Sequence, residues 1–217
     1  MVSTENIKAL ILDFGGVIYQ IDHGKQAEVF EKFGLKNFHR FYSQAIQNPL
    51  FKEFETGHID EYEFRERLMQ ILPAGFPHGK ADEAWNSILK GYYPAAIDLL
   101  KRLKKKYRLF ILSNTNIIHY RIYIPQFYAA YGFDFESLFE RTYWSFKIGM
   151  RKPDPGFFDL VLTENGLQAE TCLFIDDTIQ NTDAAKDCGI KSICLAPGSG
   201  FNELFDHNGD VAYDKYS

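Results

Sequence analysis

The stretch Ile7-Lys8-Ala9-Leu10-Ile11-Leu12-Asp13-Phe14-Gly15-Gly16-Val17 decides the fold. From Ile7 to Leu12 only Lys8 is polar, and the run has no alternation of wet and dry positions, so it reads as a strand buried on both faces. It ends on Asp13, and Gly15-Gly16 opens a loop. Two more apolar runs stop in the same way: Leu109-Phe110-Ile111-Leu112 at Ser113-Asn114, and Leu173-Phe174-Ile175 at Asp176-Asp177. A further short strand, Ile190 to Leu195, follows Gly189. Between these runs the spacing turns helical, with Ile97, Leu99, Leu100 and Leu103 in Ala95 to Lys106, and Phe157, Phe158, Val161 and Leu162 in Pro155 to Asn165. Pro94 and Pro155 stand where a helix start tolerates proline. Strands alternating with helices predict an α/β fold with a parallel sheet, whose site lies beyond the carboxyl ends of the strands.

Residues from about Tyr19 to Tyr93 behave differently. They hold aromatic-rich helical segments, Gln26 to Phe33, Phe38 to Ile46 and Tyr62 to Leu72, and no convincing strand. The chain therefore divides into a core, 1–18 and 94–217, and an inserted all-helical unit, 19–93, placed over the carboxyl end of the first strand. Aromatics such as Phe51, Phe54, Tyr62 and Phe64 supply the core of that insertion.

The 217 residues are 46% hydrophobic and 24% charged, which fits a globular chain and excludes a disordered or collagen-like one. The net charge of −5 disfavours nucleic acid and anionic membranes as partners, so an anionic ligand must be held locally. The basic run Lys101 to Arg108 lies at a helix end, where cations suit the dipole, and reads as a solvated terminus. Cys172, Cys188 and Cys194 are odd in number and lack metal-site spacing, which fits a reducing compartment. With no basic leader at Met1 to Glu5 and no apolar stretch of about 18 residues, a cytoplasmic location is expected. Gly198-Ser199-Gly200 and Gly24-Lys25 match neither dinucleotide nor nucleotide-triphosphate loops.

The apolar runs bring Asp13, Ser113-Asn114 and Asp176-Asp177 to one sheet edge. Three carboxylates crowded together repel one another unless a cation sits among them, and an all-oxygen set favours Mg²⁺. Asp13, ionised at neutral pH, is also fit to attack phosphorus and form an acyl phosphate that water resolves. Phosphoryl transfer needs its equatorial oxygens neutralised, for which Ser113 offers a hydroxyl, Asn114 a backbone N–H and Lys152 a cation.

The set Asp13-Phe14-Gly15-Gly16-Val17, Leu112-Ser113-Asn114-Thr115-Asn116, Arg151-Lys152-Pro153 and Phe174-Ile175-Asp176-Asp177 resembles the four motifs of the haloacid dehalogenase superfamily of hydrolases. The Ser-Asn-Thr-Asn string, Gly149-Met150-Arg151-Lys152-Pro153 and Glu55-Thr56-Gly57-His58-Ile59 are similar to the bacterial α-D-glucose-1-phosphate phosphatase branch. The resemblance implies a Rossmann-like core with a helical cap, Mg²⁺ dependence and an aspartyl-phosphate intermediate. It makes Asp13 nucleophile and metal ligand, Ser113 and Asn114 phosphate-binding, and Lys152 the charge balancing both. Asp177 becomes the inner-sphere metal ligand, Asp176 a ligand through water, and Gly15 a ligand through its carbonyl.

Gly15 departs from the superfamily pattern, which places there a second aspartate that protonates the leaving group. Loss of such an acid costs about 10²–10⁴ in rate and favours easily expelled leaving groups, such as the anomeric oxygen of a sugar 1-phosphate. Asp22 and His23 are candidates to replace the acid. The six histidines show no metal-ligand clustering; among them His23, His39, His58, His78 and His207 read as surface or partly buried, with His58 best placed to enter the site from the cap, and His119 either faces the site or packs. The expectation is a Mg²⁺-dependent phosphatase of a small phosphorylated metabolite, a sugar phosphate. Two alternatives stay open: a catalytically silent phosphate-binding or regulatory protein, motivated by Gly15, and a metal-independent 2-haloacid dehalogenase, against which Asp176-Asp177 argues. Oligomeric state is not legible.

Overall fold

The computed structural model describes residues 6–35, 38, 49–72, 74, 76–196 and 199–212. Its centre is β1 (Ala9–Leu12), every residue of which is buried. It pairs in parallel with β4 (Arg108–Ser113) on one side and β6 (Cys172–Asp176) on the other. The five-stranded sheet runs β5-β4-β1-β6-β7, with β5 (Arg141–Trp144) and β7 (Lys191–Cys194) at its parallel edges. Leu12 stands level with both Ile111 and Ile175. The residues following them therefore emerge from the same end of the sheet.

Both sheet faces are covered, which is why the strands read as unbroken apolar runs. Leu10, Leu12, Leu109, Ile111, Leu173 and Ile175 pack against α5 (Pro94–Leu103) and α6 (Ile117–Tyr131). Ala9, Ile11, Phe110, Leu112 and Phe174 pack against α8 (Pro155–Glu164) and α9 (Ile179–Asp187). Neighbouring residues point to opposite faces, so one four-residue strand serves both layers.

Above the carboxyl end lie α1 (His23–Lys32), α2 (Pro49–Glu55), α3 (Glu61–Ile71) and α4 (Ala81–Asn86), sharing a separate core. Rings build it: Phe54 stacks on Phe64 with centroids 3.9 Å apart, and Phe51 on Trp85 at 5.3 Å. Ile118, in the first turn of α6, packs into the same cluster and ties it to the sheet layer. Asp60 starts α3 by accepting from the amides of Tyr62 and Glu63, a cap worth about 1 kcal/mol.

Two features correct the expectations. The segment from Tyr19 to Tyr93 is not free of strand: β2 (Tyr19–Ile21) and β3 (Leu89–Tyr92) form an antiparallel ribbon where the chain leaves and re-enters the sheet layer. Its strands are three and four residues long and half-buried, with a register shift at Gln20/Ile21, so no periodicity marks them. Tyr19 is buried with the sheet layer and lies against Phe14, centroids 5.3 Å apart. The second is β5, an edge strand whose Arg141 is exposed and which buries only Tyr143 and Trp144. The predicted helix Phe38 to Ile46 lies, except for Phe38, outside the described residues, as do His39, Gly198 and Met1 to Glu5.

The basic run at the end of α5 is occupied locally. Arg108 pairs with Glu140, Lys106 with Asp210, and Lys104 donates to the Ser137 carbonyl. The three cysteines are free thiols. No helix among the described residues is long and apolar enough to cross a membrane.

Candidate active site

Asp13 continues β1 by one residue, its amide donating to the Ile175 carbonyl at 2.9 Å. Asp176 closes β6, and Asp177 lies one residue beyond it. One oxygen from each of the three carboxylates falls within 4.8 Å of the others. The Lys152 ammonium, 1% exposed, sits between two of them: it donates to Asp13 Oδ1 at 2.7 Å and to Asp176 Oδ2 at 2.6 Å.

Asn114 holds Lys152 in place by a reciprocal clamp. Its Nδ2 donates to the Lys152 carbonyl and its Oδ1 accepts from the Lys152 amide, both at 2.9 Å. The Asn114 side chain is thus occupied in positioning the lysine. Ser113 is buried at the end of β4 and lines the cavity. Thr115 is fixed by Ser145, at the start of α7 (Ser145–Ile148), which accepts from its amide and donates to its carbonyl.

Asp176 is fully buried, and both its oxygens are occupied: besides Lys152, it accepts from the Thr178 amide at 2.8 Å and from Asn181 Nδ2. Asp177 instead faces the cavity. It reaches there because Gly16 has no side chain; a Cβ at Gly16 would stand 2.0 Å from Asp177 Oδ2.

Charge in this cluster is under-neutralised. Burial, reinforced by the charges of Asp176 and Asp177, pushes Asp13 up to about 7 despite Lys152. Burial and Asp176 push Asp177 up to about 6. Burial alone would lower Lys152, but the carboxylates of Asp13 and Asp176 outweigh it and raise its pKa. Three carboxylates facing one ammonium suit a divalent cation. The set offers only oxygen donors, which matches a hard ion such as Mg²⁺.

The cluster forms the floor of a cavity of about 970 Å³, roofed by residues of the helical insertion, among them Glu55, Thr56 and His58. Two contacts seat the roof. Glu55, at the end of α2, pairs with Arg151 at 3.2 Å, next in sequence to Lys152. Gly57, at φ +68°, lies so close to the Phe146 carbonyl that a Cβ would be 2.3 Å from its oxygen.

The two proposed acid replacements separate here. Asp22 is occupied as the cap of α1, accepting from the Lys25 amide, and pairs with Lys90 at 3.0 Å. His23 lines the cavity. His119 packs: burial lowers its pKa to about 4, its Nδ1 contacts Asn116 at 3.1 Å and its Nε2 the Trp85 carbonyl at 3.2 Å. The carbonyl can only accept, so Nε2 carries the proton and Nδ1 accepts from Asn116 Nδ2. Sequence reading missed Asn181, Arg151 as the roof's anchor, and the clamp made by Asn114. Asn181 lies in the first turn of α9, and its Nδ2 reaches back to Asp176 across the turn that joins the strand to the helix.

A parallel α/β core with acids at the ends of two neighbouring strands, a buried lysine from the loop between two helices bridging them, and a helical insertion above, defines a class of hydrolases. A family model described as haloacid dehalogenase-like hydrolase matches residues 7–189, and the chain belongs to that family. A D-ribitol-5-phosphate phosphatase of Bacteroides thetaiotaomicron is 27% identical over 197 residues, covering 91% of this chain and 96% of the relative. A haloacid dehalogenase family enzyme from the same organism, crystallised as an aspartate-to-alanine mutant with magnesium and inorganic phosphate, superposes with a TM-score of 0.85. It is 32% identical, over 92% of this chain and 99% of that one. A predicted haloacid dehalogenase-like hydrolase from Porphyromonas gingivalis gives a TM-score of 0.80 at 27% identity, over 89% and 93% of the two chains.

Proposed function

We propose that the chain is a Mg²⁺-dependent phosphatase of a small phosphorylated metabolite, a sugar or sugar-alcohol phosphate, working through a phosphorylated Asp13. The observation that carries this reading is the bridging of Asp13 and Asp176 by the buried ammonium of Lys152. That bridge holds Asp13 Oδ1 and leaves Oδ2 as the attacking atom. The magnesium-and-phosphate complex of the Bacteroides enzyme and the activity named for the ribitol-phosphate relative support the same class.

In this reading Asp13, Asp177 and the Gly15 carbonyl hold the ion directly. Asp176, whose oxygens already have donors, steadies Lys152 and would reach the ion through a water. Bound there, magnesium supplies positive charge to the non-bridging phosphate oxygens. The Ser113 hydroxyl and the Asn114 amide donate to the same oxygens, and Lys152 balances the charge of nucleophile and phosphate. The insertion, 19–93, acts as a cap that encloses the substrate and excludes water. Within the substrate class a sugar 1-phosphate fits a site without an acid at Gly15, while the ribitol-phosphate relative favours a primary ester. No nucleic acid or membrane partner is part of the proposal, and its setting is the cytoplasm.

The test is phosphate release with and without Mg²⁺ from sugar 1-phosphates, terminal sugar and sugar-alcohol phosphates and p-nitrophenyl phosphate. Release that requires the metal supports the reading. A chain that releases phosphate from none of them, or is indifferent to EDTA, contradicts it.

A further inference from the structure

A phosphate ester of an alcohol leaves as an alkoxide unless a proton reaches the departing oxygen, and at Gly15 no side chain can deliver one. A Cβ there would meet Ile21 Cδ1 at 3.4 Å, so the adjoining space is apolar. Of the carboxylates and imidazoles on the cavity wall outside the Asp13 cluster, most are engaged. Glu53 pairs with Arg67, Glu55 with Arg151, and Asp154 caps α8 through the Gly156 amide. His119 uses both ring nitrogens in packing.

His58 is arranged otherwise. Thr56 Oγ1 lies 2.9 Å from the Lys52 carbonyl and 3.2 Å from that of Glu53, and both can only accept. The hydroxyl can donate to either carbonyl and offer an Oγ1 lone pair to His58 Nδ1, which lies 2.5 Å away. With the hydroxyl turned to a carbonyl, Nδ1 donates to Oγ1. Nε2 is then the nitrogen left to meet a substrate, on a side chain that lines the cavity. The loop bearing it is docked through Glu55 and Gly57 on the segment that carries Lys152.

Resting on the phosphatase reading above, we propose that His58 is the proton donor to the leaving oxygen, held in register by Thr56. As the bond from Asp13 Oδ2 to phosphorus forms, the ester P–O bond breaks. Its electron pair stays on the leaving oxygen, which takes the Nε2 proton of the His58 imidazolium. Water then attacks phosphorus and expels the Asp13 carboxylate, its proton leaving with the released phosphate, and the neutral ring regains a proton from solvent.

The experiment compares wild type, His58→Ala, Thr56→Val and His23→Ala on a sugar-alcohol phosphate and on p-nitrophenyl phosphate, whose leaving group needs no proton. His58→Ala should lose about 10²–10⁴ in kcat on the alkyl ester and less than about fivefold on the aryl ester. Thr56→Val should show a smaller loss with the same selectivity, and added imidazole should restore part of the alkyl activity of His58→Ala. Circular-dichroism melting confirms that each variant is folded. Equal losses on both esters, no loss, or a selective loss in His23→Ala instead would overturn the assignment while leaving the phosphatase reading intact. A wild-type chain inert on both esters overturns the phosphatase reading and the assignment with it.

Discussion

At Gly16 a single methyl group would collide with Asp177 Oδ2, on a backbone at φ +76° that side chains rarely adopt. Gly16→Ala should therefore cost about 1–2 kcal/mol of stability and abolish Mg²⁺-dependent turnover, since Asp177 must move. Gly15→Ala meets only Ile21 at van der Waals distance and carries no such strain; denaturant melts should place it within about 0.5 kcal/mol of wild type. Asp13 and Asp177 yield a pH prediction. Their folded pKa values, about 7 and about 6, lie above the ordinary carboxylate value of 3.8, mainly through burial. Between that value and 7 these two carboxylates bind more protons in the folded chain than in the unfolded one, so the contribution of the pair to the stability of the metal-free protein falls as pH rises. Buried His119, lowered to about 4, pulls the other way below the ordinary histidine range, so the informative quantity is a difference. Relative to Asp13→Asn, metal-free wild type should lose stability from pH 5 to pH 8 in thermal melts, and Mg²⁺ should restore it. A flat difference across that range would contradict the cluster's electrostatics.

Among the elements, the apolar runs of β1, β4 and β6 were legible because each is buried on both faces, and the polar residue ending each run marked the site. The edge strand β5 and the ribbon of β2 and β3 were not legible. Their pairing is set by partners distant in the chain, and their half-exposed residues carry no apolar signal. Asp13, Asp177 and Lys152 could be placed from strand ends and motif spacing, but the turn of Asn114 toward Lys152 depends on tertiary approach. So does the joining of α4 to α6 through His119. His119→Ala leaves Asn116 Nδ2 without its ring acceptor and removes one of two donors to the Trp85 carbonyl, the other being Gln26. Chemical denaturation should show a loss of about 1–3 kcal/mol. Glu55→Gln removes the charge facing Arg151 in a pair whose side chains are 5% and 15% exposed. Its expected cost is about 3 kcal/mol, together with a raised KM for the metabolite and little change on p-nitrophenyl phosphate. An unchanged KM for both would show that the pair does not seat the roof.

Over the whole molecule, two separate cores meet across one cavity: a sheet that fixes the charged floor and a ring-packed helical insertion that supplies the roof. The division suits a reaction whose chemistry stays constant while the roof selects what enters, because roof side chains can change without disturbing the strands that hold Asp13 and Lys152. The net charge of −5 makes the site's local cations the means of attracting an anion, so substrate capture should weaken as salt rises. Everything proposed for the reaction passes through Asp13 Oδ2. The most direct measurement is therefore acid quenching of a single turnover with Mg²⁺ and p-nitrophenyl phosphate, followed by peptide mapping. A phosphoryl group on the peptide bearing Asp13, absent from Asp13→Asn, is the predicted result. Product formed at the wild-type rate with Asp13 unmodified, or turnover surviving in Asp13→Asn, would contradict it.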